Sequence, residues 1–556
     1  MKENERIILK PVAETEKCFL DESINDKKEY TEATMLQGER FSYQIAYNTE
    51  GLPLGIDGMW CRVRVEGPAK DWVKIQTVES VPVRMPITVG CEDKNFLRTE
   101  PGLYPDLLKP YCEGKEIAAS KRLQALWVDI YVPEDAEGGK YPITVTMYND
   151  DHGDLGSCEF TAEVIPACLP EQEIAVTQWF HPDCLAVYYG VEMFSEEHWA
   201  ILAKHIDVYV KNGLNMILTP VFTPALDTVP GGERPTCQLV DVYRKDGKWS
   251  FGFERLERWV NLCLELGIEY FEISHLFTQW GAKHAPKVMA ETENGYEKVF
   301  GWETDACGEE YPAFLRQFIP ALIEKMEELG VADSTVFHIS DEPGSDMLES
   351  YNSAKNTVTE CLKGQIIMDA LSDYSFYEKG VVEHPVVSTD HIDAYIDAKV
   401  QNLWAYYCCC QVNGVSNRMT AMSTARNRII GQQLYKYDIA GFLQWGFNFY
   451  FTQGSREFCD PYQCTDGGWW VPAGDTFSVY PAHGGSAYET IHLLGFTAAL
   501  NDLRAFKKCE ELCGKDAVMA VIEERGEVTF KEYPRDDEQI LSVREKINRM
   551  IAEKLS

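Results

Sequence analysis

The sequence predicts an α/β protein in which a (β/α)8 TIM-like barrel is preceded by an N-terminal all-β sandwich and followed by a C-terminal helical extension. Three observations predict it. Residues 1 to about 170 alternate apolar and polar positions in short runs, the period of half-buried strands. From there, eight short apolar runs are separated by helix-length amphipathic segments, the alternation that builds a closed parallel sheet. After Pro481 the chain reads as helix through most of its length. The expected units are residues 1–170, 171–513 and 514–556.

In the sandwich, Phe41, Tyr43, Ile45 and Tyr47 mark one strand, and Trp127, Asp129 and Tyr131 opposite Val128, Ile130 and Val132 mark another. The stretch VPEDAEGGKYPITVTMYND then reads as a hairpin turned at Gly138 and Gly139. Pro166 and Pro170 end this pattern. The eight barrel runs are 174–180, 216–222, 270–277, 335–340, 366–371, 385–389, 402–407 and 441–447. Helices are expected over 196–212, 254–266, 310–329, 346–362 and 419–437, with a short crossover after the fifth strand. Further helices over 488–513 and about 536–555 are expected as the last barrel helix and an extension packed on it.

Hydrophobic residues at 45% and charged residues at 25% describe a globular chain and exclude disordered, collagen-like and coiled-coil classes. A formal net charge of -36 would repel phosphate backbones and anionic lipid, so neither nucleic acid nor a membrane is an expected partner. No stretch approaches the roughly 20 apolar residues of a membrane span. The segment MKENERIILKPVAETEK is charged where a signal peptide needs an apolar core, which makes a cytoplasmic location the expectation. The 18 cysteines are diluted in a long chain and three are consecutive, Cys408 to Cys410, so they read as reduced thiols and buried small hydrophobes. There is no CxxC, and Cys459 with Cys464 and Cys509 with Cys513 lack the companion ligands of a zinc site. No metal and no cofactor are expected, and the sequence is compatible with a homo-oligomer.

A barrel carries its chemistry at the carboxyl ends of its strands. Here those ends are acidic and aromatic, which suits a sugar whose C–H faces stack on rings while its hydroxyls need acceptors. The sharpest feature is FHISDEPG, residues 337–344, where the fourth strand ends in Asp341 and Glu342. A turn at Pro343 and Gly344 would aim both carboxylates into one cleft, and their proximity would raise the pKa that a general acid needs. The competing reading makes Asp341 or Ser345 a cap for the following helix. Glycosidases ordinarily place a second carboxylate across the sugar, often from strand seven, which here ends in Tyr406 and Tyr407. Either Asp390, Asp373 or Asp183 fills that role, or the substrate's own 2-acetamido oxygen attacks, with Asp341 orienting the acetamide and Glu342 protonating the leaving oxygen. Substrate-binding candidates are Trp179, His181, Asp183, His338, Tyr407, expected to hold the acetamide carbonyl, and Trp445, expected to stack on the sugar. His181 and Asp183 also fit a purely structural turn.

The segments QWFHPDCLAVYYGVEMFSEEHW, FHISDEP and GFLQWGFNFY with GDTFSVYP resemble glycoside hydrolase family 123 and its wider relatives carrying domain of unknown function 4091, over about residues 175–505. The resemblance implies a sandwich before the barrel and release of terminal β-linked N-acetylhexosamine, most often N-acetylgalactosamine, from glycans or glycosphingolipid-derived oligosaccharides by substrate assistance. It also implies Asp341 as stabiliser and Glu342 as acid/base. A metal-dependent hydrolase and a non-catalytic glycan-binding protein are the alternatives.

Overall fold

The computed structural model describes residues 6–52 and 57–555; the first five residues of the charged segment MKENERIILKPVAETEK lie outside them. Two five-stranded sheets form the N-terminal part. One orders its strands Arg6–Ala13, Arg40–Glu50, Gln124–Tyr131, Val73–Val83, Gly102–Pro110; the other runs Glu32–Gln37, Gly153–Cys168, Gly139–Asn149, Gly58–Glu66, Ile117–Ser120. Leu126, Val128 and Ile130 face the other sheet, packing with Ile143, Val145 and Phe160. The opposite face of the same strand is buried too, because Trp127 packs with Leu108, Ile491 and Leu494 against the helix Ile491–Cys513.

The hairpin expected at Gly138 and Gly139 is not formed. The strand from Gly139 leaves its predecessor and pairs with Gly153–Cys168 and Gly58–Glu66 in the second sheet. The glycine pair marks a crossover between sheets, and the hairpin lies one turn later, between Asn149 and Gly153.

Eight parallel strands close the barrel: Ala175–Gln178, Met216–Thr219, Tyr270–Ile273, Thr335–Phe337, Ile366–Leu371, His384–Ser388, Trp404–Tyr406 and Gly441–Gln444. Each coincides with one of the expected apolar runs, since strands buried on both faces read as continuous hydrophobic segments. Helices Glu196–Lys211, Glu254–Leu266, Glu310–Glu328 and Leu348–Val358 cover the outside, and the crossover after strand five is only Ser375–Glu378. The single helix expected over 419–437 is two, Thr424–Arg428 and Ile430–Lys436, entered through a Ser423 cap. The loops after strands two and three each contribute a hairpin to an unexpected four-stranded sheet, Lys248–Gly252, Asp241–Lys245, Val288–Thr292 and Gly295–Phe300.

The C-terminal helix Asp537–Leu555 packs on Ile491–Cys513 as expected, and on the sandwich as well. Arg544 donates to Asp502 (3.1 Å) and Glu39 (2.6 Å), and Glu545 accepts from the Thr34 hydroxyl (2.6 Å). Charge-assisted bonds of this kind fix the orientation of the two parts.

Candidate active site

Strand four delivers its carboxylates through an unusual backbone. Glu342 has a left-handed φ of 40°, a conformation that costs a non-glycine residue about 1–3 kcal/mol. Gly344, expected to supply the turn, has an ordinary φ of -83°, so Glu342 itself makes the reversal. Neighbouring backbone holds it there: the Trp280 N–H donates to the Asp341 carbonyl (3.0 Å) and the Glu342 N–H to the Ala370 carbonyl (3.2 Å). Neither Asp341 nor Ser345 caps a helix, because the following helical turns begin without side-chain caps.

The result is a cavity of about 290 Å³ at the carboxyl end of the barrel. Trp179, Trp280, Trp445 and Trp470 wall it, Asp227, Asp341, Glu342 and Tyr406 are its principal polar groups, and Cys408, Cys409, Cys410, Ala370 and Leu443 complete the lining. Burial pushes the Asp341 carboxyl well above its usual range, with Glu342 and Asp227 adding to the effect. Burial also raises Glu342, while a hydrogen bond from the Tyr406 hydroxyl to its Oε1 (2.7 Å) pulls the other way. Asp227 is pushed up to about 7 by burial, against the opposing pull of Arg234. Among the described residues, no arginine or lysine is paired with Asp341 or Glu342. A larger groove of about 730 Å³ lies on the surface between helices Glu196–Lys211 and Glu254–Leu266, and it shares no residue with this cavity.

Of the other expected contacts, Trp179 and Trp445 face the cavity. Trp179 donates through Nε1 to Glu272 (3.0 Å), and Trp445 donates to Asp475 (3.0 Å) with its ring 5.5 Å from Trp470. Asp475 comes close because Gly446 lets the chain pass; a Cβ there would lie 2.3 Å from the Thr476 carbonyl oxygen. Four expectations need correction. Tyr407 points away from the cavity, its hydroxyl donating to Asn427 (3.1 Å) and its ring against Phe442; Tyr406, one residue earlier and on the other face, reaches Glu342. His181 and Asp183 are buried around Arg234, which donates to both Asp183 oxygens (2.9 and 2.8 Å) and lies 3.1 Å from His181 Nδ1. His338 is absent from the lining and fully buried between Glu272 (3.0 Å) and Asp369 (3.4 Å). Burial alone would lower its pKa, yet these two partners raise it to about 10, and its charge in turn pulls the Asp341 carboxyl down against the effect of burial.

Asp390 contacts His391 and Gln411, and Asp373 accepts from the Ser375 N–H, so neither is part of the cavity lining. Sequence reasoning missed Asp227 and Trp470, both in long loops. The cysteine run, expected as buried packing, is buried only at Cys408; Cys409 is half-buried and Cys410 exposed.

A proton-holding carboxyl beside a second carboxylate, inside a tryptophan-walled cavity at a barrel mouth, is suited to cleaving a bond between a sugar and an oxygen leaving group. Fold and cavity together define a barrel glycosidase. The family model described as Glycoside hydrolase 123, catalytic domain, matches residues 179–509, and the chain belongs to that family. A family 123 glycoside hydrolase from Clostridium perfringens, solved in work on glycolipid glycan hydrolysis, shares the fold at a TM-score of 0.73 with 16% identity, over 99% of this chain and 98% of that one. A Parabacteroides merdae β-glucuronidase aligns only distantly, at 11% identity and a TM-score of 0.32 over 89% of this chain and 52% of that one. No curated protein matches the chain by sequence. Among the described residues no helix is long and apolar enough to cross a membrane.

Proposed function

We propose that the protein releases a terminal β-linked N-acetylhexosamine, N-acetylgalactosamine foremost, by a retaining mechanism in which the substrate's acetamido oxygen is the nucleophile. The reading rests on one observation: Asp341 and Glu342, adjacent in sequence, line one cavity, while strand seven contributes Tyr406 rather than a carboxylate. Asp341 accepts the acetamide N–H and balances the positive charge that develops as the acetamide oxygen bonds to the anomeric carbon. Glu342 gives its proton to the departing oxygen, then takes one from the water that opens the oxazoline. The pair holds one proton between them, and the acetamide N–H favours the ionised form of Asp341 when substrate binds. Trp445 and Trp470 offer ring faces for the sugar, and half-exposed Trp280 offers one to the aglycone at the lip.

The Clostridium perfringens relative was studied for glycolipid glycan hydrolysis, and a glycosphingolipid-derived oligosaccharide is the substrate class we propose. Asp227 favours a second reading, in which a protein carboxylate supplies the nucleophile, because it lines the same cavity. A panel of p-nitrophenyl glycosides tests the sugar and the reaction class together. Turnover of the β-N-acetylgalactosaminide is expected; turnover confined to sugars without an acetamido group would overturn the proposal.

A further inference from the structure

Cys408, Cys409 and Cys410 follow barrel strand seven. Successive side chains of an extended strand point to opposite faces, so three consecutive cysteines would ordinarily spread their sulfurs apart. Here the chain turns at residues 409–410, and the three sulfurs converge within 4.8 Å of one another. The turn is firmly held. Gln411 Oε1 accepts the Cys408 N–H (2.9 Å), and the Cys408 carbonyl accepts from Asn417 Nδ2 (2.8 Å) and the Gln411 N–H (3.2 Å).

The spacing has a chemical meaning. Thiolates bound to a tetrahedral zinc-type ion at about 2.3 Å stand about 3.8 Å apart. The Cys409 and Cys410 sulfurs are 3.8 Å apart. All three are free thiols, Cys410 is exposed, and all three line the cavity that holds Asp341 and Glu342. Soft sulfur donors select soft cations over magnesium or calcium. The other close thiol pair, Cys459 and Cys464, has its sulfurs 3.3 Å apart, but the Arg84 guanidinium lies 3.3 Å from Cys464, where it would repel a cation.

We propose that Cys408, Cys409 and Cys410 form a binding site for a soft, thiophilic cation of the zinc, cadmium or copper(I) class, and that its occupancy shuts the catalytic cavity. Each ligating thiol releases its proton to water as its sulfur bonds to the ion. The bound ion and its shell take up part of a cavity of only about 290 Å³ that also holds Asp341 and Glu342, so a sugar cannot seat. The ion is an inhibitor and takes no part in the glycosidic reaction. The site does not depend on which sugar the enzyme cleaves.

Titration of the reduced full-length protein with Cd²⁺ tests this, read by the ultraviolet thiolate-to-cadmium absorption and by hydrolysis of a chromogenic glycoside. One Cd²⁺ per chain should bind with that absorption, turnover should fall in step, and EDTA should restore it. Cys410→Ser should require at least tenfold more Cd²⁺ for binding and for inhibition relative to its own metal-free rate, and Cys409→Ala should behave likewise, whereas Cys464→Ser should match the unaltered protein. Binding that survives Cys410→Ser and Cys409→Ala, binding abolished by Cys464→Ser, or full occupancy with undiminished turnover would each overturn the proposal. The cadmium stoichiometry decides the site even if the sugar specificity proposed above proves wrong.

Discussion

At the end of strand one, Asp183 sits fully buried with Arg234 donating to both its oxygens and His181 closing the cluster. At the end of strand four, Asp341 faces a cavity beside Glu342 and Asp227, with no arginine or lysine paired to it among the described residues. Both clusters occupy the catalytic end of one barrel and draw on the same residue types. Arg234 neutralises the first, leaving a structural unit whose charge is spent internally. The second has no such ion pair: burial holds the Asp341 and Glu342 carboxyls above the usual range even though the charge of His338 pulls Asp341 the other way, so their protons can be transferred. A carboxylate at a strand end is therefore informative only together with the cation that does or does not meet it.

The contrast can be broken by mutation. Glu342→Gln should lower turnover of natural glycans by about 10²–10⁴-fold, the usual worth of a general acid, with a smaller loss on activated aryl glycosides. Equal losses on both substrate types would argue against an acid role. Asp183→Ala strands a buried guanidinium, so denaturant unfolding should show a loss of about 3–5 kcal/mol with kcat per folded molecule nearly unchanged. A stable but inactive Asp183→Ala would place that residue in the chemistry. Asp341→Asn should show the reverse, severe loss of activity with a gain in stability of about 0.5–2 kcal/mol. Because the folded state raises this carboxyl's pKa, its ionisation works against folding only above the unfolded value of about 4. The gain in Tm should thus appear above about pH 4 and vanish below it.

Tyr406→Phe acts on the acid itself. It removes the hydrogen bond that favours ionised Glu342, so the acid's pKa rises. The basic limb of the kcat/KM profile, where the acid proton is lost, should move to higher pH. An unmoved limb would mean that another group sets it.

Much of the fold was legible because physical constraints write themselves into the sequence. Barrel strands buried on both faces become apolar runs, and their covering helices become amphipathic ones. The Gly138 and Gly139 pair announced a turn without naming the sheet that receives the next strand, because pairing partners are a tertiary choice. The extra four-stranded sheet carried a signal that went unused: Asp246 and Gly247, with φ of 49° and 73°, form an Asp-Gly turn that joins two of its strands. In the site, Asp341 and Glu342 stood out because they close an apolar strand. Tyr406 and Tyr407 differ by one position, which reverses the face of the side chain, and no local feature fixes that register. Asp227 and Trp470 reach the cavity from loops whose course depends on packing, so sequence position alone did not reveal them.

The central claim is that the substrate supplies the nucleophile, and replacing the hydrogens of its N-acetyl methyl group one by one with fluorine measures this most directly. Each fluorine weakens the acetamide oxygen as a nucleophile while leaving the leaving group untouched. On this account kcat falls steeply and progressively along the mono-, di- and trifluoroacetamido β-hexosaminides. A flat response, accompanied by a glycosyl ester trapped on Asp227, would contradict it and assign the nucleophile to the protein.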